Sequence, residues 1–500
     1  MAHVNVPKRY ILAIDQGTTG SRAFIFDHQG RAIASAYQEF PQYYPKPGWV
    51  EHDGEEIFSS VVSVIKKAVA SARINPAAIA AIGITNQRET TLLWDRRTGK
   101  PCHRAIVWQC RRTAAFCDGL KKHAALIKRT TGLVVDAYFS GSKVRWLLDH
   151  VPSLRAKARQ GHIAFGTIDS WLVYKLTGGA AHVTDMTNAS RTMLFDIKAR
   201  RWSRPLLKLL NVPENILPSV RNSAAVFGHT AAMAGLPAGI PITSVMGDQQ
   251  AALYGQGCFT AGTAKNTYGT GCFMLFNTGK KCIHSTGGLL TTLACDVQGM
   301  PVFALEGSVF IAGAVVQWLR DELKVIPDAE SAETMVAGLK DTNGVYMVPA
   351  FVGLGAPHWE PHARGIITGL TRGANARHIV RASLEAIAYQ IKDVFDLMQK
   401  EAGFPVRLLA VDGGACRNGF LMQFQADILG AKVVRPVMVD STAAGAAYLA
   451  GIAIGLWRPS DLARLKKVER VFRPSMPRED VRARYEGWQK AVAQALSGHR

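Results

Sequence analysis

The chain has 500 residues, of which 48% are hydrophobic and 19% charged, and a formal net charge of +21; this length and balance point to two domains of a soluble globular protein. Its apolar stretches are broken well short of the ~18 residues a membrane helix needs, and the N-terminus lacks the long apolar segment and small-residue cleavage site of a signal peptide. The eight cysteines include no Cys-x-x-Cys pair, which speaks against a disulfide framework or zinc site and for reduced thiols in a cytoplasm, while the basic residues are spread thinly without a nucleic-acid motif, so neither nucleic acid nor membrane insertion is expected.

The first predicted elements surround Asp15-Gln16-Gly17-Thr18-Thr19-Gly20-Ser21-Arg22. The apolar run Tyr10–Ile14 leads in, and Ala23-Phe24-Ile25-Phe26-Asp27 leads out. This reads as strand, tight turn, strand. Small and hydroxyl residues in the turn leave backbone N–H groups open to phosphate oxygens, and Asp15 at the strand end could hold a cation or a water there. An ordinary hairpin with a polar tip fits the same residues.

Ile79–Ile84 reads as a strand, Thr85–Glu89 as a polar loop and Thr90–Trp94 as a second strand. Arg88-Glu89 at the loop tip offers a cation and a carboxylate to a polyol, or else a solvated surface pair. Trp108 and Tyr138, each taken alone, read as core aromatics more readily than as ligand-binding residues. Pro241–Met246 is a strand running into Gly247-Asp248-Gln249-Gln250 and a helix start. A carboxylate at the carboxyl end of a sheet is placed to accept a proton from a substrate hydroxyl; an N-cap Asp is the alternative.

Glycines cluster near Leu253–Thr263, the predicted domain boundary, giving 1–254 and 255–500. Just beyond it, Asn266-Thr267-Tyr268-Gly269-Thr270-Gly271-Cys272-Phe273-Met274-Leu275-Phe276 repeats the plan of the first hairpin. One such hairpin in each half suggests two related domains closing on one phosphate chain. Val345–Pro349 and Leu408–Val411 read as buried strands. Between them, Asn375 as N-cap, a Val380, Leu384, Ile387, Ile391, Val394, Met398 stripe and Gly403 as terminator predict one long helix. Asp412-Gly413-Gly414 and Asn418 form either a nucleotide approach or a tight strand–helix turn with a cap. The Val481, Tyr485, Trp488, Val492, Leu496 stripe predicts a C-terminal packing helix. No P-loop and no Gly-x-Gly-x-x-Gly after a strand occurs.

Taken together, Asp15-Gln16-Gly17-Thr18-Thr19, Asn86–Thr91, Trp108–Arg112, Gly247–Ala252, Asn266–Gly271 and Asp412-Gly413-Gly414 resemble the glycerol kinases. These are carbohydrate kinases with the actin and hexokinase type of ATPase fold. The likeness runs in order from about Tyr10 to beyond Trp457, and takes in Pro45–Asp53 and Tyr346–Pro357. It implies an α/β chain of two ribonuclease H-like domains with an active-site cleft between them. The implied reaction is ATP-dependent phosphorylation of glycerol to sn-glycerol 3-phosphate, the first step of glycerol catabolism.

By position, the resemblance implies Asp248 as general base and Asp15 as organiser of Mg²⁺. Thr18, Thr19, Gly20 and Arg22 would lie at the phosphates of ATP. Arg88, Glu89, Tyr138 and Asp248 would hold glycerol hydroxyls with Gln249 adjacent, and Trp108 and Phe273 would pack on its carbon side. Thr270, Gly313, Gln317, Gly414 and Asn418 would bind the nucleotide. A homo-oligomer, dimer or tetramer, is also implied. Gly20 stands where Ser is common and Ala137 where Pro is usual. Ala231–Ile240 lacks the basic loop for fructose 1,6-bisphosphate and the His-containing phosphorylated segment, so neither regulation is expected. A related sugar kinase, an actin-like ATPase module and a nucleic-acid binder are the competing readings. Arg88-Glu89 with Trp108 argues against the first, and the second would need an appended interaction domain that the chain does not show.

Overall fold

The apolar run before Asp15 becomes the inner strand of a six-stranded sheet in the computed structural model of the chain, which describes residues 8–233, 235–360 and 362–497. The strands are β1 (Tyr10–Gln16), β2 (Gly20–Phe26), β3 (Ala32–Glu39), β4 (Ile79–Asn86), β5 (Ala224–His229) and β6 (Pro241–Gly247), in the order β5-β6-β4-β1-β2-β3. β1 pairs antiparallel with β2 and parallel with β4, and β4 parallel with β6. Alternation along β1 sends Leu12 and Ile14 to one face and Ile11 and Ala13 to the other. The first face is covered by α1 (Gly54–Ala72) through Ile57, Val61, Val64 and Ile65. Asp53 caps that helix by accepting the amides of Glu55 and Glu56.

The second half repeats the plan. Its strands are β7 (Thr263–Tyr268), β8 (Cys272–Gly279), β9 (Leu290–Cys295), β10 (Pro301–Val309), β11 (Leu408–Asp412), β12 (Lys432–Pro436) and β13 (Val468–Phe472), ordered β9-β10-β8-β7-β11-β12-β13. β7 pairs antiparallel with β8 and parallel with β11, as β1 does with β2 and β4. From β5 to β3 and from β13 to β10 the two sheets carry the same succession of parallel and antiparallel pairings.

The helices used below are α2 (Ser140–His150), α3 (Asp248–Gly255), α4 (Gly313–Asp321), α5 (Ala376–Ala402), α6 (Gly419–Leu429), α7 (Ser441–Ala453) and α8 (Arg478–Ser497). The long predicted helix is α5, capped by Asn375 and ended by Gly403 with φ 75°. The C-terminal stripe lies on α8, where Trp488 is fully buried against Tyr389.

Two features depart from expectation. The strand expected at Thr90–Trp94 spans Leu92–Asp95 and pairs with Ile163–Gly166, not with β4. The segment between is a tight turn: the Thr90 amide donates to the Arg88 carbonyl at 2.7 Å. In addition, α7, from the second half, covers the open face of the first sheet. Ala443, Ala444 and Ala447 meet Ile11, Ala13, Phe24 and Ala81 there. A helix this rich in small residues lets backbones come close, and it crosses α3 in the same cluster. The two halves are therefore joined by a shared apolar core beneath the cleft, not by a linker.

Candidate functional site

The site lies where the carboxyl ends of β1, β4 and β6 face those of β7 and β11. Asp15 is the penultimate residue of β1, opposite Arg22 on β2. The turn that follows is held by amide side chains. Gln87 Nε2 donates to Gln16 Oε1 and to the Gly17 carbonyl, both at 3.1 Å. Gln42 Nε2 donates to the Thr18 carbonyl at 3.2 Å, and its Oε1 sits 2.6 Å from Nε2 of His52. Burial holds His52 down to about 4, so it is neutral at physiological pH. The Trp108 indole donates to Thr18 Oγ1 at 2.9 Å, while Thr19 faces solvent.

Gly20 has a physical reason. A Cβ there would lie 2.6 Å from the Tyr37 ring and 2.7 Å from the Gln38 carbonyl oxygen. Tyr37 fills the space a side chain would need, and it lies under Arg22 at 5.1 Å. Arg22 also pairs with Asp440 of the second half at 2.7 Å.

Arg88 and Glu89 are not a surface pair. They are 3% and 1% exposed, which rules out the solvated alternative. Glu89 holds φ at 59°, a conformation that side chains other than glycine pay for and that clusters at functional sites. Its carbonyl is pinned by the hydroxyls of Ser140 at 2.9 Å and Thr91 at 3.0 Å. Arg88 Nε lies 3.1 Å from Asp248 Oδ1. Its stem runs over Gly247, where a Cβ would meet Arg88 Cδ at 2.7 Å. Asp248 is the first residue of α3 with Gly247 at the cap position, and its carboxylate accepts only the neighbouring Gln249 amide from that helix, at 2.7 Å. The N-cap alternative for Asp248 therefore does not hold, and its side chain remains about a third exposed to the cleft.

An aromatic wall stands beside this group. Trp108 and Tyr138 meet edge to face at 5.6 Å. Lys143 on α2, fully buried, donates to the carbonyls of Ala137, Tyr138 and Phe139 at 2.5, 2.6 and 3.3 Å. Burial lowers this ammonium to about 8. On the facing wall, Phe273 is half-buried on β8, opposite Thr267 and Ser308. Lys265 Nζ, buried, bonds Thr267 Oγ1 at 2.7 Å and the Gln249 side-chain oxygen. It thereby ties the second hairpin to α3.

The second turn is built differently. Thr270 is exposed, and its carbonyl accepts the amides of Ala312 at 2.8 Å and Ala314 at 3.1 Å. The Gly313 amide donates to the Gly269 carbonyl at 2.9 Å. Gln317 is exposed on α4, and Gly414 is exposed in the short turn after β11. Asn418 caps α6 through its oxygen, which accepts the Leu421 amide at 2.8 Å, while its NH₂ is uncommitted to the cap.

Asp15 fits a divalent cation. Burial, with Asp248 and Asp440 adding like charge against Arg22, raises its carboxyl to about 7. Among the described residues no cluster of three or more His, Cys, Asp or Glu side chains could cage a metal. One or two carboxylates, completed by water and phosphate oxygens, is the donor set Mg²⁺ takes. A separate cavity of about 530 Å³, lined by Asp53, Glu55, Lys100, His103, Arg104 and Lys175, holds none of these residues.

Four charged residues escaped the sequence reading: Lys143, Arg191, Lys265 and Glu306. A signal existed for Glu306, the one charged residue in the apolar run of β10. A lone ion in such a strand must have a buried partner.

The family model for the N-terminal domain of the FGGY carbohydrate kinases matches residues 10–255, and that for the C-terminal domain residues 264–454. The chain is 56% identical to glycerol kinases of Alkaliphilus metalliredigens and Klebsiella pneumoniae, in each case over 98% of both chains. Its structure is similar to that of a Plasmodium falciparum glycerol kinase with ADP. There the TM-score is 0.92 at 37% identity, covering 97% of this chain and 98% of that one. It shares the fold of a xylulose kinase from Lactobacillus acidophilus, with TM-score 0.87 at 22% identity over 98% and 99% of the two chains.

Proposed function

The chain belongs to the FGGY family of carbohydrate kinases; from that premise we infer that it catalyses ATP-dependent phosphorylation of glycerol to sn-glycerol 3-phosphate, and we propose which residues do so. The observation that carries the assignment of roles is the buried Arg88–Glu89 pair, with Asp248 at 3.1 Å from Arg88. A small triol needs several fixed polar partners and one apolar wall to present a single hydroxyl. Arg88, Glu89, Tyr138 and Asp248 supply the partners, Gln249 lies adjacent, and Trp108 and Phe273 supply the wall.

Asp248 takes the proton of the terminal hydroxyl as that oxygen attacks the γ-phosphorus of ATP. Its carboxylate is aimed by Arg88 Nε on one side and left open to the cleft on the other. Backbone donors of Thr18, Thr19 and Gly20, with Arg22 close by, receive charge developing on the transferred group. Thr270, Gly313, Gln317, Gly414 and Asn418 hold the nucleotide. Asp15 would hold Mg²⁺, which when bound neutralises phosphate charge. Approach of the two halves excludes water and limits wasteful hydrolysis of ATP.

With this reading go a division into kinase domains at 1–254 and 255–500, a cytoplasmic location and a homo-oligomer, dimer or tetramer. The eight cysteines are free, and among the described residues no helix is long and apolar enough to cross a membrane. The test is ADP release by the purified protein with glycerol and a panel of other polyols and sugars. Release that does not depend on glycerol, or that another polyol drives better, would overturn the reading.

A further inference from the structure

Behind the acceptor residues lies a closed set of four ions. Arg88 Nη1 donates to Glu306 Oε2 at 2.5 Å, and Nη2 to Oε1 at 3.3 Å. Arg191 Nη2 donates to the same Glu306 Oε1 at 2.9 Å, and its Nε to Glu89 Oε1 at 2.5 Å. Arg191 and Glu306 have no exposed surface, and Arg88 and Glu89 almost none. Three of the four come from the first half of the chain. Glu306 comes from β10 of the second, where it pairs with Leu275 of β8. Burial would raise the Glu306 carboxyl, but Arg191 and Arg88 together hold it down to about 2, so it stays ionised.

We infer that Glu306 is a positioning residue for the acceptor site: across the boundary between the halves it aims the Arg88 guanidinium and, through Arg191, the Glu89 carboxylate. A guanidinium is planar, so fixing one edge fixes the direction of every N–H it carries. Glu306 grips the Nη edge of Arg88 in two places, the Gln250 side-chain oxygen accepts from Nη1 at 3.3 Å and Asp248 lies at Nε, so the direction of the one remaining Nη2 N–H is determined. Arg191 does the same for Glu89, binding one carboxylate oxygen and leaving the other for a ligand. Apolar side chains of the same volume could join the two halves at no greater cost, because buried ion pairs add little net stability. What they could not do is set the direction of a hydrogen-bond donor. The inference rests on the reading that Arg88 and Glu89 bind glycerol.

The test compares Glu306→Gln, Glu306→Asp and Arg88→Ala with the parent enzyme, reading KM for glycerol, KM for ATP, kcat and the Kd for ADP by calorimetry. Glu306→Gln keeps the shape and loses the charge. KM for glycerol should rise more than tenfold while the Kd for ADP stays within twofold. Glu306→Asp keeps the charge but cannot reach both arginines, so a smaller rise of three- to tenfold is expected. It carries the test by itself if the Gln variant does not fold. A glycerol KM within twofold of the parent in the folded Glu306 variants, beside a raised one in Arg88→Ala, would overturn this inference alone. So would an ADP affinity that weakens in the same proportion, since a merely structural role moves both. An unaltered glycerol KM in Arg88→Ala would overturn the acceptor-site reading, and this inference with it.

Discussion

Between β1 and β2 the turn at residues 16–20 is braced by side chains, whereas between β7 and β8 the turn at residues 269–271 is stitched by backbone alone. Gln16, Gln42, Gln87 and Trp108 bind the first from behind, and Tyr37 closes one flank. The second hangs on the amides of Ala312, Gly313 and Ala314 at the start of α4, with Thr270 pointing into solvent. The two hairpins share one topology, so topology did not dictate how each is held. A turn fixed by buried side chains can be disturbed by single substitutions behind it. A turn held by main-chain bonds is indifferent to its own side chains and moves with the helix that holds it.

The largest effect should come from Asp248→Asn, at the point both hairpins face. We expect kcat to fall about 10²–10⁴-fold, with the Kd for ADP within twofold by calorimetry. A normal kcat would break the picture of two hairpins serving one acceptor base. Next comes Gly20→Ser, which forces a side chain against Tyr37 and the Gln38 carbonyl. Overpacking of this kind costs about 1–3 kcal/mol, read as a lower Tm. Tyr37→Ala in the same chain should recover only part of it, because the carbonyl stays. If Gly20→Ser is as stable as the parent, the flank is not closed as described.

Smaller is Trp108→Phe, which keeps an aromatic wall and deletes the bond to Thr18. One hydrogen bond of about 0.5–1.5 kcal/mol corresponds to a roughly two- to thirteenfold loss in kcat/KM for ATP, exceeding any change in KM for glycerol. The reverse ranking would show that Trp108 serves the acceptor and not the turn. Smallest is Thr270→Ala. Its backbone bonds survive, so Tm should hold and affinity for ADP should fall less than threefold in a titration. A large loss there would mean the second turn also depends on its side chains.

The strands flanking both turns were legible because alternation of apolar residues and small-residue punctuation are local signals. So was α5, whose cap, stripe and terminator all lie within 29 consecutive positions, Asn375 to Gly403. Arg88 and Glu89 could be singled out as residue types, yet burial could not be read for them. Their neutralising partners, Glu306 and Arg191, lie 218 and 102 residues away. Glu89's positive φ was equally hidden, since the Ser140 hydroxyl that holds its carbonyl lies 51 residues away.

The two-hairpin plan, the order of its motifs and the residue types at their tips are written in the chain locally. These follow from periodicity and from what backbone and functional groups can do over a few residues. Folding of the whole chain settled that α7 of one half covers the sheet of the other and that four ions meet behind the cleft. It also decided that Gly20 is empty because Tyr37 is there. Each of these depends on groups far apart in the chain being desolvated together. That energy has no counterpart in any short window of sequence.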